Sequence, residues 1–126
     1  MEKVWLRNYP AGIPPDLPEF PYRSLADLVG EACRNHPRRT AYISMGRQLS
    51  YAELDRLSRD FAAWLQGLGV KKGDRVAVML PNVLQYPVCM FGALRAGAVI
   101  VNCNPLYTAE EIEHQLKDSG ATVIVV

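Results

Sequence analysis

The fold is decided between residues 75 and 126, which read RVAVMLPNVLQYPVCMFGALRAGAVIVNCNPLYTAEEIEHQLKDSGATVIVV. Three apolar runs in this stretch are rich in β-branched residues, which is typical of strands buried on both faces of a parallel sheet. The strands predicted from these runs cover residues 75–80, 99–103 and 122–126. The segments at residues 83–96 and 109–119 predict a helix between successive strands, and the second of them is amphipathic. The alternation predicts an α/β fold of two βαβ units, with three parallel strands side by side and helices on both faces.

The two predicted helices differ in how clearly they begin. The second has a capping box formed by Thr108 and Glu111, and Gly120 follows its last turn. The first is predicted to begin at Asn82, which places Pro87 one turn inside the helix. Because proline lacks the amide donor, it should kink this helix or convert its start to an irregular turn.

Two further helices and a hairpin are predicted before residue 75. Each helix begins with a capping pair and continues with an apolar stripe. The capping pairs are Ser24 with Asp27 and Ser50 with Glu53. The first helix is predicted to end at His36 and the second at Gly69. Residues 40–45 and 48–50 flank Gly46 and predict a small hairpin.

The N-terminal segment has a different composition. Five of the nine prolines lie between Tyr9 and Tyr22, where fixed φ angles and missing amide donors exclude a continuous helix or strand ladder. We therefore divide the chain into an extended, proline-rich arm at residues 1–23 and an α/β unit at residues 24–126. The large apolar side chains of the arm are expected to lie on another surface, either of the same domain or of a second subunit. They are Trp5, Leu6, Ile13, Leu17 and Phe20.

The last predicted strand has no turn, charge or covering element after it. The final four residues, 123–126, are all aliphatic, which is unusual at the end of a finished domain. We expect residues 24–126 to be a partial subdomain of a larger N-terminal domain, truncated at its C-terminus. A complete, free-standing α/β binding or interaction module is the alternative.

Composition argues against several classes of protein. Fourteen Lys and Arg against thirteen Asp and Glu give a net charge of +1, so no positive surplus exists to bind nucleic acid or to attach the chain strongly to an anionic membrane. Cys33, Cys89 and Cys103 form no C-x-x-C pair, which argues against a disulfide framework and a zinc site. A charged N-terminus and the lack of an apolar run of about 18 residues favour a cytoplasmic protein, at most peripheral to the inner face of the membrane.

Chemical signals are sparse. No glycine-rich loop stands between a strand and a helix, where backbone amides could approach a phosphate. His36 lies before a proline at a helix end and is interpreted as structural. His114 has no nucleophile paired with it in sequence, and Cys103 is interpreted as a buried thiol. The sequence predicts no catalytic residue and no metal ligand. Because parallel sheets bind ligands beyond the carboxyl ends of their strands, the loops at residues 81–82 and 104–107 are the candidates for ligand contact.

Several motifs form a familiar set along the whole chain. They lie at residues 4–10, 72–82, 85–87, 94–98, 102–108 and 113–120. Together they resemble the N-terminal region of the acyl-adenylate-forming ligases, and most closely the bacterial long-chain fatty acid–CoA ligases. The Gly-Asp-Arg-Val motif at residues 73–76 indicates only the superfamily, which includes aryl-CoA ligases and peptide-synthetase adenylation domains. The Asn-Pro-Leu-Tyr-Thr motif at residues 104–108 and the N-terminal arm narrow the resemblance from the superfamily to the long-chain fatty acid–CoA ligases.

The resemblance implies an enzyme several times longer than this chain. Such ligases activate a fatty acid with Mg²⁺ and ATP, release pyrophosphate to form an acyl-adenylate, and let the thiol of coenzyme A displace AMP. The implied substrate is a fatty acid, the implied cofactors are ATP, Mg²⁺ and coenzyme A, and a homodimer contact would involve the N-terminal region. The family's catalytic residues lie later in its sequence, so this chain alone is expected to be inactive and to bind no cofactor tightly. An aryl or amino acid substrate in the same superfamily is the alternative.

One loop is carried over residue by residue. Asn104, Pro105 and Leu106 correspond to the family loop near which the coenzyme A nucleotide docks in related synthetases. Relatives that contact the nucleotide there often have Gly-Gly in place of Pro105 and Leu106. The resemblance therefore leaves two roles open for this loop, contact with coenzyme A and scaffolding.

Overall fold

The computed structural model describes residues 3–126, and this part of the chain forms four α-helices, five strands and one 3₁₀-helix. In chain order they are the 3₁₀-helix Val4–Asn8, α1 (Leu25–Asn35), β1 (Thr40–Ser44), β2 (Arg47–Ser50), α2 (Tyr51–Gly67), β3 (Arg75–Val78), α3 (Gln85–Arg95), β4 (Val99–Asn102), α4 (Ala109–Ser119) and β5 (Val123–Val125). Strand and helix alternate from β3 onward, which confirms the predicted α/β fold.

Three parallel strands form the main sheet in the order β4-β3-β5. In the register, Val76 of β3 lies between Ile100 of β4 and Val123 of β5. Each strand is one or two residues shorter than predicted. For β3 and β4 the reason is that the sequence pattern records burial as well as pairing: Cys103 is buried and Leu80 packs on the core, although both lie beyond the ends of their strands.

The central strand β3 carries the core of the sheet, since Val76, Ala77 and Val78 are all fully buried. Val76 and Val78 pack against α2 and α3 through Leu65 and Ala93. The crossover through α3 runs outward from β3 to β4, and the crossover through α4 runs back past β3 to β5. Both crossovers are expected to be right-handed. Because they run in opposite directions across the sheet, α3 and α4 lie on opposite faces.

A second apolar cluster joins the three N-terminal helices to the hairpin. Its buried members are Cys33 in α1, Leu49 in β2, Leu54 in α2 and Phe91 in α3. The hairpin of β1 and β2 is antiparallel, as predicted, and turns through Met45 and Gly46, whose φ angles are 49° and 74°. Two consecutive positive φ angles are the geometry that lets a two-residue turn follow the twist of its strands.

The predicted start of α3 at Asn82 is wrong. The helix begins at Gln85, and the residues before it form a turn in which the backbone N–H of Val83 donates to the carbonyl of Pro81 (2.7 Å). Pro87 is consequently the third helical residue. Backbone amides in the first turn have no intrahelical acceptor, so proline at this position removes no hydrogen bond and requires no kink.

The arm departs from a fully extended chain over residues 4–8, which form the 3₁₀-helix. None of these residues is proline, so their amides can bond locally, and the N–H of Leu6 donates to the carbonyl of Lys3 (3.1 Å). Residues 9–23 contain no helix or strand. Leu17 is 96% exposed and Phe20 is also exposed, so these two side chains do not pack on the α/β unit, whereas the Tyr22 hydroxyl bonds to Glu31 of α1. Between residues 3 and 126, no helix combines the length and the apolar character needed to cross a membrane.

Candidate functional site

The loops that follow β3 and β4 meet at the carboxyl edge of the parallel sheet. Cys103 donates its backbone N–H to the carbonyl of Val78 (3.0 Å), which extends the hydrogen bonding between β3 and β4 past the last residue of β4. On the other side of β3, Met79 donates its N–H to the carbonyl of Val125 (2.9 Å). The two loops predicted from the sequence therefore begin side by side, in the position where open α/β sheets bind ligands.

A side-chain bridge that sequence reasoning missed supports both loops. The Tyr86 hydroxyl donates to Asn102 Oδ1 (2.8 Å), which links the first turn of α3 to the last residue of β4. The backbone carbonyl of Asn102 accepts a hydrogen bond from Gln115 Nε2 (2.9 Å) in α4. Asn102 thus connects the helices on the two faces of the sheet. An asparagine directly after the apolar residues 99–101 was the available signal, since a polar group at the end of a buried strand needs a partner.

Residues Asn104, Pro105 and Leu106 form a turn that satisfies its own backbone. Asn104 Oδ1 accepts the N–H of Leu106 (3.0 Å), and the Asn104 carbonyl accepts the N–H of Tyr107 (3.0 Å). Pro105 fixes φ at the second position of this turn. Leu106 is 87% exposed. The loop lies at the predicted place, and it can offer a ligand the Asn104 amide nitrogen, which has no acceptor among residues 3–126, and the Leu106 side chain.

The start of α4 is occupied by its own cap. Thr108 donates its N–H to Glu111 Oε2 (2.7 Å), and Thr108 Oγ1 accepts the N–H of Glu111 (3.4 Å). The hydrogen bonds from the amide and hydroxyl of Thr108 lower the pKa of Glu111. This carboxylate is therefore ionised at neutral pH and committed to the helix cap, so it is not poised as a general base. The predicted capping box is confirmed.

A cleft of about 220 Å³ lies between the hairpin and the turn that precedes α3. Ser44 donates its hydroxyl to the carbonyl of Asn82 (3.0 Å) across this cleft and so ties β1 to the β3–α3 turn. The walls are mainly apolar and include Ile43, Tyr86 and Met90. The cleft can accept an apolar group, and it presents no acid or base for chemistry.

The three thiols are unsuited to nucleophilic chemistry. Cys33, Cys89 and Cys103 are all buried. Burial raises the pKa of each thiol, so the reactive thiolate is depleted at neutral pH. In residues 3–126 no three His, Cys, Asp or Glu side chains are grouped so as to hold a metal ion.

Comparison with known proteins gives a consistent family signal. The sequence model of the family described as AMP-binding enzyme matches residues 29–126. A long-chain-fatty-acid–CoA ligase from Haemophilus influenzae is 53% identical over 127 aligned residues, which cover 100% of this chain and 23% of the relative. The chain thus spans about a quarter of the length of the curated relatives it matches.

Solved structures agree with the sequence match. The N-terminal subdomain of NpsA from Klebsiella oxytoca, in complex with 3-hydroxyanthranilyl-AMSN, has a TM-score of 0.78 at 28% identity and covers 82% of this chain and 26% of that one. The inhibitor-bound N-terminal domain of FACL13 from Mycobacterium tuberculosis has a TM-score of 0.74 at 34% identity, covering 79% of this chain and 25% of that one. At these identities the similarity extends to sequence as well as fold.

Proposed function

The chain belongs to the AMP-binding enzyme family, and from this premise we propose that it forms the N-terminal portion of a long-chain fatty acid–CoA ligase. The observation that carries the proposal is the 53% identity to such a ligase across the whole chain. The parent enzyme would activate a fatty acid with Mg²⁺ and ATP and transfer the acyl group to the thiol of coenzyme A.

Adenylation chemistry requires groups that residues 3–126 do not provide. A phosphate cradle needs free backbone amides in a glycine-rich loop, and a Mg²⁺ site needs clustered oxygen ligands. The amides of Leu106 and Tyr107 are already bonded within their turn, and Glu111 is committed to its cap. The residues present therefore do not fit ATP or Mg²⁺. Our proposal is that the chain contributes structure and one binding loop to a site completed by the remainder of the enzyme.

We further propose that Asn104, Pro105 and Leu106 contact coenzyme A in the parent enzyme. The exposed Leu106 side chain and the unused Asn104 amide nitrogen suit the flat, polar-edged surface of a nucleobase better than a phosphate, because the turn carries no cation. The bridge from Tyr86 to Asn102 would hold this loop in place during catalysis.

The activity is tested by expressing the whole open reading frame that encodes this chain and, separately, residues 1–126. With ATP, Mg²⁺, coenzyme A and a long-chain fatty acid, the whole product should release AMP and form acyl-CoA. Residues 1–126 alone should catalyse no fatty acid-dependent exchange of pyrophosphate into ATP. Exchange by residues 1–126 alone would contradict the assignment of chemistry to the remainder of the enzyme.

The binding loop has its own test in the whole enzyme. Leu106→Ser should raise the KM for coenzyme A and leave the KM for ATP and fatty acid unchanged. Leu68→Ser, at an exposed leucine that follows α2, is the matched control and should change none of them. Equal constants for both variants and the unaltered enzyme would assign the loop a scaffold role instead.

A second substrate class is supported by the NpsA subdomain, which is in complex with 3-hydroxyanthranilyl-AMSN and has the higher TM-score of the two structures. The hydroxyanthranilyl group is aromatic, so this similarity keeps an aryl acid as the second candidate. The sequence identity favours the fatty acid. A panel of long-chain fatty acids, aryl acids and amino acids decides between them, since only the true substrate should drive pyrophosphate exchange in the whole enzyme.

We also propose a homodimer contact through the arm. Large exposed side chains support it, and they include Trp5, Ile13, Leu17 and Phe20. Removing residues 1–23 from the whole enzyme should convert a dimer to a monomer in sedimentation experiments. An unchanged sedimentation coefficient, corrected for mass, would contradict this contact.

A further inference from the structure

A polar pocket lies between α1, α2 and the C-terminal end of α3, toward the amino edge of the sheet and away from the candidate loops. Its volume is about 330 Å³. Arg34 of α1, Arg59 of α2 and Arg95 of α3 line it, and we call it the arginine pocket. Gly30 forms part of its wall, and the absence of a side chain there keeps the space beside the Arg34 guanidinium open.

The carboxylates around the arginine pocket all have partners. Asp55 accepts hydrogen bonds from Arg59 Nε (2.8 Å) and from Arg95 Nη2 (2.6 Å). Asp27 accepts from Arg23 Nε (3.3 Å). Glu31, which also lines the pocket, accepts from the Tyr22 hydroxyl (3.2 Å).

The donors, in contrast, are not all used. Arg95 Nε is buried and has no acceptor among residues 3–126, and the side chain as a whole is only 13% exposed. Arg34 makes no hydrogen bond or ion pair with any residue in the same described range. With Arg23, four guanidinium groups face three carboxylates, so the pocket has one positive charge in excess. Its unmet hydrogen-bonding capacity consists of guanidinium N–H groups.

We propose that the arginine pocket binds a phosphate group, either as inorganic phosphate or as a phosphate monoester. Guanidinium groups present paired N–H donors whose spacing matches two oxygens of a phosphate. The Arg95 side chain lines the pocket and is only 13% exposed, so the surroundings screen its charge less than water does and favour a charged acceptor beside it. Arg34, exposed at the mouth, supplies the second guanidinium. The site is separate from the chemistry of the proposed ligase and does not depend on it.

The test is a titration of the 126-residue chain with inorganic phosphate, and separately with phosphoserine, at constant ionic strength. Binding is followed by calorimetry and by the shift of the thermal unfolding midpoint. Saturable binding with a rise in Tm is expected for phosphate, for phosphoserine or for both, and the comparison identifies the form that is preferred. Acetate is titrated as a control, because it is also an anion but carries a carboxylate in place of a phosphate.

Arg34→Gln should weaken phosphate binding about tenfold, since it removes a charge-assisted contact. Arg38→Gln is the matched control, because it removes the same charge from an exposed position just beyond α1 that does not line the pocket. Both variants alter surface residues, so their own Tm in the absence of phosphate should match that of the unaltered chain. Equal weakening in both variants, equally tight binding of acetate, or no saturable binding of either phosphate compound would overturn the proposal.

Discussion

Gly92 lies where α3 packs against α2 with no room for a side chain. A Cβ atom at this position would lie 2.8 Å from the Ser58 carbonyl oxygen and 2.8 Å from Phe61 Cδ1. Gly92→Ala should therefore destabilise the chain by about 1–3 kcal/mol, because the helices must separate to admit the methyl group. Urea denaturation measures the loss. Gly67→Ala is the control at an open helical position, and it should stabilise by about 0.5–1 kcal/mol. A Gly92→Ala chain as stable as the control would refute the close-packing argument.

Asp55 of α2 forms an ion pair with Arg95 of α3 and so links these two helices beside the arginine pocket. The hydrogen bond from Arg59 lowers the pKa of Asp55 first, and that from Arg95 lowers it further. Because the folded pKa lies below the ordinary value, the carboxylate stabilises the fold at neutral pH, and this contribution is lost as the pH falls below about 4 toward the folded pKa. We expect the urea midpoint to fall over that acid range, and to fall less in Asp55→Asn.

At neutral pH, Asp55→Asn should cost about 2 kcal/mol, because it leaves the largely buried Arg95 without its counter-ion. This cost is below that for a fully buried pair, since the Asp55 side chain is 29% exposed. Asp60→Asn breaks an ion pair with Arg56 of the same i,i+4 spacing as Asp55 with Arg59, on a surface where both side chains are 65% exposed, and should cost about 0.3–0.5 kcal/mol. Equal losses in the two urea titrations would show that burial adds nothing to the Asp55 pair.

At the scale of elements, the N-caps of α1 and α2 each stabilise the fold, and their contributions can be measured separately. Ser50 closes a reciprocal capping box on α2, donating its N–H to Glu53 Oε2 (2.9 Å) and accepting the N–H of Glu53 on its hydroxyl (3.3 Å). Ser24 makes one half of that arrangement on α1, accepting the N–H of Asp27 (3.1 Å). Ser50→Ala should cost about 1 kcal/mol in urea denaturation, and Ser24→Ala should cost less. Ser50→Ala also removes the bond that the Ser50 hydroxyl donates to Glu53 Oε2 (2.6 Å), which has no counterpart at Ser24, so a larger loss at Ser24 would mean that this bond contributes nothing.

Elements with local signals were predictable, and contacts between distant residues were not. The capping boxes, the hairpin turn at Gly46 and the three apolar strands depend on residues a few positions apart. The start of α3 was missed because Asn82 is a plausible cap locally, while the position of Pro87 in the first turn is set by how the chain leaves β3. The bond of Tyr86 to Asn102 spans 16 residues and that of Arg95 to Asp55 spans 40. No periodicity in the sequence encodes such a pairing.

The whole molecule has a parallel sheet with two open sides. β4 and β5 each pair only with β3 among the strands of residues 3–126, so each presents an unpaired edge. Ile124 of β5 is 38% exposed and lies beside the fully buried Ala77 in the register. Parallel sheets are normally covered, and an open edge with apolar side chains is a template for association with another chain. This property separates a piece of a larger sheet from a free-standing module.

We therefore predict that the 126-residue chain self-associates as its concentration rises, in sedimentation velocity experiments. Ile124→Lys should reduce this association, because a charge on β5 opposes the docking of another strand. Ile43→Lys is the matched control, because Ile43 lies on β1, outside the parallel sheet, and is 69% exposed. If association were due to nonspecific hydrophobic contact, Ile43→Lys would reduce it more than Ile124→Lys. Circular dichroism checks that both variants remain folded. If the unaltered chain is a monomer with one sharp unfolding transition, the open edges do not bind, and a free-standing module becomes the better description.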